Sequence, residues 1–359
     1  MKKIPTSQDR TLQLTEDLLV LNFEIQSHTG PYKVIFDNDL LTSNKIETFG
    51  THYIIDRNVF KLFSNDTLIA LNRKEVVLID ATEETKSYKG IEPIITQLLG
   101  HNMKRDSILV AIGGGITQDI TCFIATTFMR GIKWTFIPTT LLAQADSCIG
   151  SKSSINFDKY KNLLGSFTPP NEIYVCDKFL NSLEDKDFKS GVGEIVKLLL
   201  INEELVGPAE ITRENISTYV YKAMMVKKLY IEQDEFDKSI RNILNYGHCF
   251  GHGIESATNF AIPHGIAITI GMDIANLFAL SEGLITEDRY NKMHEVLFPI
   301  YKDHMHIHFK ADNVFAAMTK DKKNTGSKIN LILPVGNKME KRGFENTPAF
   351  WDKAKNAMS

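Results

Sequence analysis

The hydrophobic rhythm of the chain changes near residue 180. Before it, short apolar runs recur: YKVIF (32–36), HYIIDRNV (52–59), EVVLIDA (75–81), SILVAI (107–112), WTFIP (134–138) and EIYVCD (172–177). Their length and β-branched content are those of strands. Helix-length segments lie between them, as at 91–103 and 117–129. This alternation predicts an α/β unit, a parallel sheet with helices on both faces, over 1–180. From there to 359 helical patterns dominate, at 186–202, 205–230, 236–260, 266–282, 286–299 and 312–320, with INLILP (329–334) the one later strand candidate. No repeat or low-complexity linker separates the halves, so two closely packed domains sharing a cleft are expected, 1–180 and 181–359.

One helical stretch is polar where a core stripe should be apolar. In RNILNYGHCFGHGIESATNFAIPH (241–264), Arg241, Asn245, His248, His252 and Glu255 fall four, three, four and three apart and share one predicted face. Two histidines at this spacing are more often ordinary hydrogen-bonded helix residues, since H-x-x-x-H alone lacks the acidic base of a zincin. The accompanying Arg and Asn, and a third histidine just beyond, weigh against that reading. Pro263 ends the pattern, His264 and Gly265 open a new apolar run, and a reversal there brings His264 back beside His248. Upstream, GVGEIVKLLLI sets Glu194 and Lys197 three apart on a strongly apolar helix. Such a pair is either a partly buried ion pair or a site, and Glu194 is a candidate for the oxygen ligand that two histidines lack.

In the first half, Gly113, Gly114 and Gly115 follow an apolar strand and open a helix with Asp119 in its first turn. Glycines there let the backbone approach a pyrophosphate, although a triple Gly is also a plain tight turn and is not the G-x-G-x-x-G fingerprint. Thr139 and Thr140 close the next strand, and Glu83 and Lys86 follow the third in a similar place. Together they favour a nucleotide site. The segment QADSCIGSKSSINFDKYKNLLG (144–165) is dense in charge, with Asp146, Lys152, Lys161 and Asn162. A solvated loop accounts for Lys159 and Lys161, whereas Lys152, between Gly150 and small serines, reads as a cation held close to an anion.

Composition narrows the field without redirecting it. Hydrophobic residues are 43% and charged residues 24% of 359, with a net charge of -3, ordinary for a soluble globular protein and without the basic footprint of a nucleic-acid binder. A polar IPTSQDR follows Met-Lys-Lys where a signal peptide would have an apolar core, and no apolar run approaches membrane length. A cytoplasmic protein is expected. Cys122, Cys148, Cys176 and Cys249 are scattered, with no C-x-x-C pair, and read as small buried hydrophobes. His304, His306 and His308 alternate as on one face of a strand, but a polar surface segment is the simpler reading and no function is assigned to them.

From Glu83 to Lys323 the ordered motifs resemble the sugar phosphate cyclases, most closely those of the 3-dehydroquinate synthase family. They are GGG-x-x-x-D at 113–119, F-M-R-G at 128–131, I-P-T-T-L-L at 137–142, D-S at 146–147, the lysine at 152, K-N-L-L-G at 161–165, G-E-I-V-K at 193–197, R-x-I-L-N-x-G-H-x-F-G-H-x-I-E at 241–255, H-G at 264–265 and D-K-K at 321–323. The resemblance implies a Rossmann-like NAD-binding α/β domain followed by a helical metal-binding domain. It implies a divalent metal, zinc or cobalt, on Glu194, His248 and His264, and NAD against Glu83, Lys86, Gly113, Gly114, Gly115, Asp119, Thr139, Thr140, Asp146 and Lys161. The substrate would meet Arg130, Lys152, Asn162, Lys197, Lys227, Arg241, Asn245, His252 and Lys322, with His252 a proton relay or phosphate donor. The implied reaction oxidises a secondary alcohol of a heptulosonate phosphate, eliminates phosphate, re-reduces the ketone, opens the ring and closes a carbocycle by an aldol step, so NAD is regenerated each turn.

Arg241, with Lys227 near it, implies a substrate carboxylate. Ile266 after H-G, Ser151 before Lys152 and Gln118 before Asp119 depart from the family's habit, and a relative acting on another heptulose phosphate is the alternative. A glycerol-dehydrogenase-like oxidoreductase is the rival from another class, and a catalytically dead binding protein is disfavoured by the intact ligand set. A homodimer is expected, with Arg130 in question between subunits.

Overall fold

The computed structural model describes residues 21–42, 44–63, 71, 75–320 and 328–358. In chain order its strands are β1 (Phe23–Ile25), β2 (Tyr32–Phe36), β3 (His52–Asp56), β4 (Glu75–Ile79), β5 (Ile108–Gly113), β6 (Lys133–Pro138), β7 (Lys152–Phe157), β8 (Tyr160–Phe167), β9 (Glu172–Val175), β10 (Lys328–Val335) and β11 (Lys338–Glu345). Its α-helices are α1 (Arg57–Phe63), α2 (Tyr88–Gly100), α3 (Gly115–Thr127), α4 (Asp185–Ile201), α5 (Ile216–Ile231), α6 (His248–Ala257), α7 (His264–Ser281), α8 (Glu287–Tyr301), α9 (Ala311–Lys320) and α10 (Pro348–Asn356).

Strands β5 and β6 are buried along almost their whole length, on both faces, which a parallel sheet covered by helices requires. They lie at the middle of a seven-stranded sheet of order β1-β2-β9-β6-β5-β3-β4, parallel except for β1. The chain leaves β3 first for β4 on one side and then for β5 on the other, so the strand order reverses between β3 and β5. Ligands of open α/β sheets bind beyond the strand C-termini at such a reversal, and there the chain puts Gly113, Gly114 and Gly115. Each of the six runs read as strands contains one. From Asp185 onward the described structure is mainly helical, ending in the hairpin β10–β11 and α10.

Several expectations need correcting. The polar face of 241–255 is not one helix: Ile240–Asn245 is a 3-10 turn, the chain breaks at Tyr246 and Gly247, and α6 begins at His248. Gly247 has φ 77°, and a Cβ on it would lie 2.5 Å from Met272 Cγ. The break lets α6 pack directly on α7. The helix expected over 205–230 begins only at Ile216, after a short 3-10 turn at Pro208–Glu210. The charged stretch 144–165 is a π turn, Ala143–Ser147, and then the antiparallel hairpin β7–β8. The strand at 329–334 has a partner, β11, that the charges of KMEKRGFE concealed. His304 ends a 3-10 turn, so no strand aligns the three alternating histidines. One apolar helix does reach membrane length: α7 matches a span by length and composition, but most of it is buried in the protein, packed on α4, α6 and α8. Cys122, Cys148 and Cys176 are buried, Cys249 is half-buried, and none of the four is in a disulfide.

Candidate active site

Helices α4 and α7 cross backbone to backbone: a Cβ on Gly265 would fall only 1.9 Å from the carbonyl oxygen of Ser190. This contact sets Glu194 of α4 against His264, the first residue of α7, with His264 Nε2 3.4 Å from Glu194 Oε1. The other ring nitrogen, Nδ1, lies 3.1 Å from Glu255 Oε1 on α6. His248 and His252 complete the cluster from α6. The three ring centroids stand 5.3, 5.7 and 5.8 Å apart, and one ligand atom from each lies within 4.8 Å of the others. The chain reversal after Pro263 thus brings His264 to His248 as the sequence suggests.

The partners fix the tautomers. A carbonyl oxygen can only accept, so the 3.1 Å contact between His248 Nδ1 and Tyr246 O puts the proton on Nδ1 and the lone pair on Nε2. His264 differs, because each of its ring nitrogens faces a carboxylate, Glu255 at Nδ1 and Glu194 at Nε2, which favours a proton on both. Burial pulls the His264 pKa down, but Glu194 and Glu255 outweigh it and push it up to about 10. Glu255 is correspondingly held below the usual carboxylate range, its bond to His264 prevailing over burial. Glu194 is 1% exposed, and neither carboxylate oxygen makes a well-formed hydrogen bond, although Lys197 pairs with it. Under-satisfied buried carboxylate oxygens beside converging imidazoles are a donor set that fits a divalent cation, with positions left open for substrate.

From Glu194 the charges continue without a gap. Lys197 Nζ is 3.0 Å from Asp146 Oδ2, and Lys227 contacts Asp146 Oδ1 and donates to its backbone oxygen at 2.7 Å. Burial alone would raise the Asp146 carboxyl, but Lys197 and Lys227 hold it well below its ordinary value. Lys197 is raised, its two carboxylates overcoming burial. Lys227 is lowered, because burial and repulsion from Arg241 and Lys197 outweigh Asp146.

Asp146 sits at the sheet's C-terminal edge, next to the glycines. Thr139 N donates to Gly113 O at 2.9 Å, and the Thr139 hydroxyl is buried without a partner. A Cβ on Gly114 would meet Thr140 Cγ2 at 3.0 Å, and no side chain caps the N-terminus of α3. An uncapped helix start behind a Cβ-free turn, with an unspent hydroxyl beside it, fits a pyrophosphate. On its flank, Lys86 Nζ donates to Asn162 Oδ1 at 2.9 Å and Asp119 Oδ2 at 3.2 Å, with Glu83 at 3.7 Å. Burial raises Asp119 against Lys86 and Ser153. Lys161 lies 3.6 Å over the Phe260 ring, tying β8 to the turn that follows α6.

Other expected residues are engaged differently. Arg241 is 6% exposed and donates to the backbone oxygen of Glu235. Lys152 meets an anion of the protein itself, Asp237, at 2.8 Å. Asn245 Nδ2 donates to Asn242 O at 3.1 Å. Arg130 is exposed on the turn after α3, at φ 70°, and Lys322 lies outside the described residues. Two further residues, Glu255 and Asn156, hold the site in place. Glu255 was visible in the polar stripe and orients His264. Asn156 binds Glu83 Oε2 at 2.7 Å and receives the Asn162 amide at 2.9 Å, and nothing in the sequence marked it.

A sheet with a phosphate-fitting turn beside a centre of partly exposed histidines and buried carboxylates is the architecture of the sugar phosphate cyclases. The fold superposes on 2-deoxy-scyllo-inosose synthase, solved with carbaglucose-6-phosphate, NAD+ and Co2+ (TM-score 0.82, 22% identity, 92% of this chain and 98% of that one). It also superposes on 2-epi-5-epi-valiolone synthase of Streptomyces hygroscopicus subsp. jinggangensis, solved with NAD+ and Zn2+ (TM-score 0.77, 22% identity, 91% and 95% covered). In sequence, residues 76–190 match the N-terminal and 191–324 the C-terminal family profile of 3-dehydroquinate synthase. The 3-dehydroquinate synthase of Alkaliphilus oremlandii is 34% identical over 88% of this chain and 90% of its own. The chain belongs to the 3-dehydroquinate synthase family.

Proposed function

We propose that this chain, with NAD and a divalent metal, converts 3-deoxy-D-arabino-heptulosonate 7-phosphate to 3-dehydroquinate, the cyclisation that its family's name describes, and that it works as a cytoplasmic homodimer. The observation that carries this reading is the unbroken charge line Glu255–His264–Glu194–Lys197–Asp146–Lys227, which joins the histidine centre to the nucleotide-fitting edge of the sheet. A redox cofactor and a metal that must serve one substrate need such adjacency.

In this reading residues 1–180 form the NAD-binding part and 181–359 the metal-binding part. Glu194, His248 and His264 hold the metal, and Asp119, Asp146, Lys161, Thr139, Thr140, Glu83, Lys86 and the three glycines line the NAD site. When bound, NAD supplies a reversible hydride acceptor and the metal a Lewis acid. The chain's own part is electrostatic and positional. Lys152, Lys197, Asn162, Arg130 and Lys322 neutralise and orient the phosphate, which leaves as an anion. His252, beside both proposed histidine ligands, is placed to relay a proton. Arg241 and Lys227 receive the substrate carboxylate, with Asn245 beside them. The present engagement of Arg241 with Glu235 O favours one runner-up, a heptulose phosphate without a carboxylate.

Phosphate release measured with catalytic NAD and Zn2+, offering the heptulosonate phosphate and sedoheptulose 7-phosphate in parallel, decides between them. Release from the acid alone is expected. Release from the neutral sugar alone would overturn the substrate, and steady NADH from a polyol without phosphate would make the protein an oxidoreductase.

A further inference from the structure

Gln118 is buried in α3, three residues past Gly115, and it spends both ends of its amide on a single residue. Nε2 donates to Ser147 O at 2.7 Å, and Oε1 accepts from Ser147 Oγ at 2.8 Å. Ser147 ends the π turn Ala143–Ser147, and the residue before it is Asp146. A Cβ on Gly115 would lie 3.6 Å from Ser147 Oγ, so the glycine turn and the π turn are in contact here. Isolated π turns lose helix regularity and recur at functional sites. This one is gripped from two sides: Lys197 and Lys227 pull on Asp146 from α4 and α5, and Gln118 holds Ser147 from α3.

We propose that Gln118 is a positioning residue that, acting through Ser147, fixes Asp146 and with it Lys197 and Glu194 at a set distance from the glycine turn. This rests on the function proposed above and adds to it the part that keeps cofactor and metal donors in register. A two-bond amide fixes both position and rotation of its partner, and neither Ala nor Gly at 118 reaches Ser147. Without it the π turn is tethered only by its lysine pairs, and misplacement by about 1 Å costs on the order of 100-fold in rate when reacting groups must align.

The test compares Gln118→Ala, Ser147→Ala, the double variant and the isosteric Gln118→Glu in enzyme loaded with NAD and Zn2+. Gln118→Ala should lower kcat for phosphate release by about tenfold or more while KM stays within about twofold. Ser147→Ala should cost less, because the backbone acceptor remains, and the double variant should be no worse than Gln118→Ala, since both remove one linkage. Gln118→Glu folds around the same shape but, ionised, cannot donate to Ser147 O, and should lose kcat as well. Amide exchange across 143–147, which needs no turnover, should quicken in Gln118→Ala. Unchanged kcat in folded variants, additive losses, or unchanged exchange would overturn the proposal. A wild-type enzyme that released no phosphate from any heptulose phosphate would instead sink the functional reading, with the exchange measurement still deciding whether the latch exists.

Discussion

Gly193 and Gly265 touch: a Cβ on the first would lie 2.5 Å from the carbonyl oxygen of the second. The neighbours Glu194 and His264 meet only because these two residues have no side chains. Gly265→Ala, whose new methyl would strike Ser190 O, should therefore destabilise the fold by about 1–3 kcal/mol, the usual cost of overpacking, and weaken metal binding with it. Denaturant midpoints and a chelator competition check this. A stable variant of normal metal affinity would mean that the α4–α7 crossing does not set the site.

Glu255 acts through His264. Glu255→Gln keeps the shape but removes the charge that orders the imidazole, and should lower metal affinity by about 10- to 100-fold with little change in melting temperature. Equilibrium dialysis against zinc measures it, and unaltered affinity would show that the ring is oriented by something else.

Glu194→Gln should reduce bound metal and abolish turnover, since an amide oxygen is a weaker donor and its NH2 would face Lys197. Full activity with full metal content would remove Glu194 from the ligand set in favour of His252, the third member of the histidine cluster.

Asp234 gives a pH signature away from the metal donors. Burial would raise its carboxyl, but the backbone amides of Lys238, Ser239 and Arg241 together hold it below the usual range. A lowered folded pKa stabilises above the unfolded value, about 4, and that contribution is lost as pH falls through the folded value. Asp234→Asn should cost about 1–3 kcal/mol at pH 7 and progressively less below pH 4 in urea titrations. An equal cost at both ends would show that the charge is immaterial.

The sequence was legible where periodicity and burial agree. The strand runs and the helices α4, α7, α8 and α9 follow their apolar patterns, and the H-G and G-E pairs sit at the helix crossing that their small residues permit. It misled where tertiary contact overrides local pattern. The stripe from Arg241 to Glu255 has helical spacing, yet Gly247 breaks it so that α6 can reach Met272. Strand β11 is charged because one of its faces meets solvent, which hides it from a search for apolar runs. Lys152 reads as an anion-seeking cation, and its anion, Asp237, lies 85 residues away in the chain, a distance at which spacing carries no information.

The order of the sheet has a consequence for synthesis. Val34 pairs with Ile173, 139 residues further on (173 less 34), so β2 has no parallel neighbour until β9 has left the ribosome. Strands β3 to β6 can pair among themselves before then, while the β1–β2 ribbon waits as an exposed edge. Nascent chains stalled before residue 172 should be cut by protease near Tyr32, and chains stalled well beyond Val175 should resist.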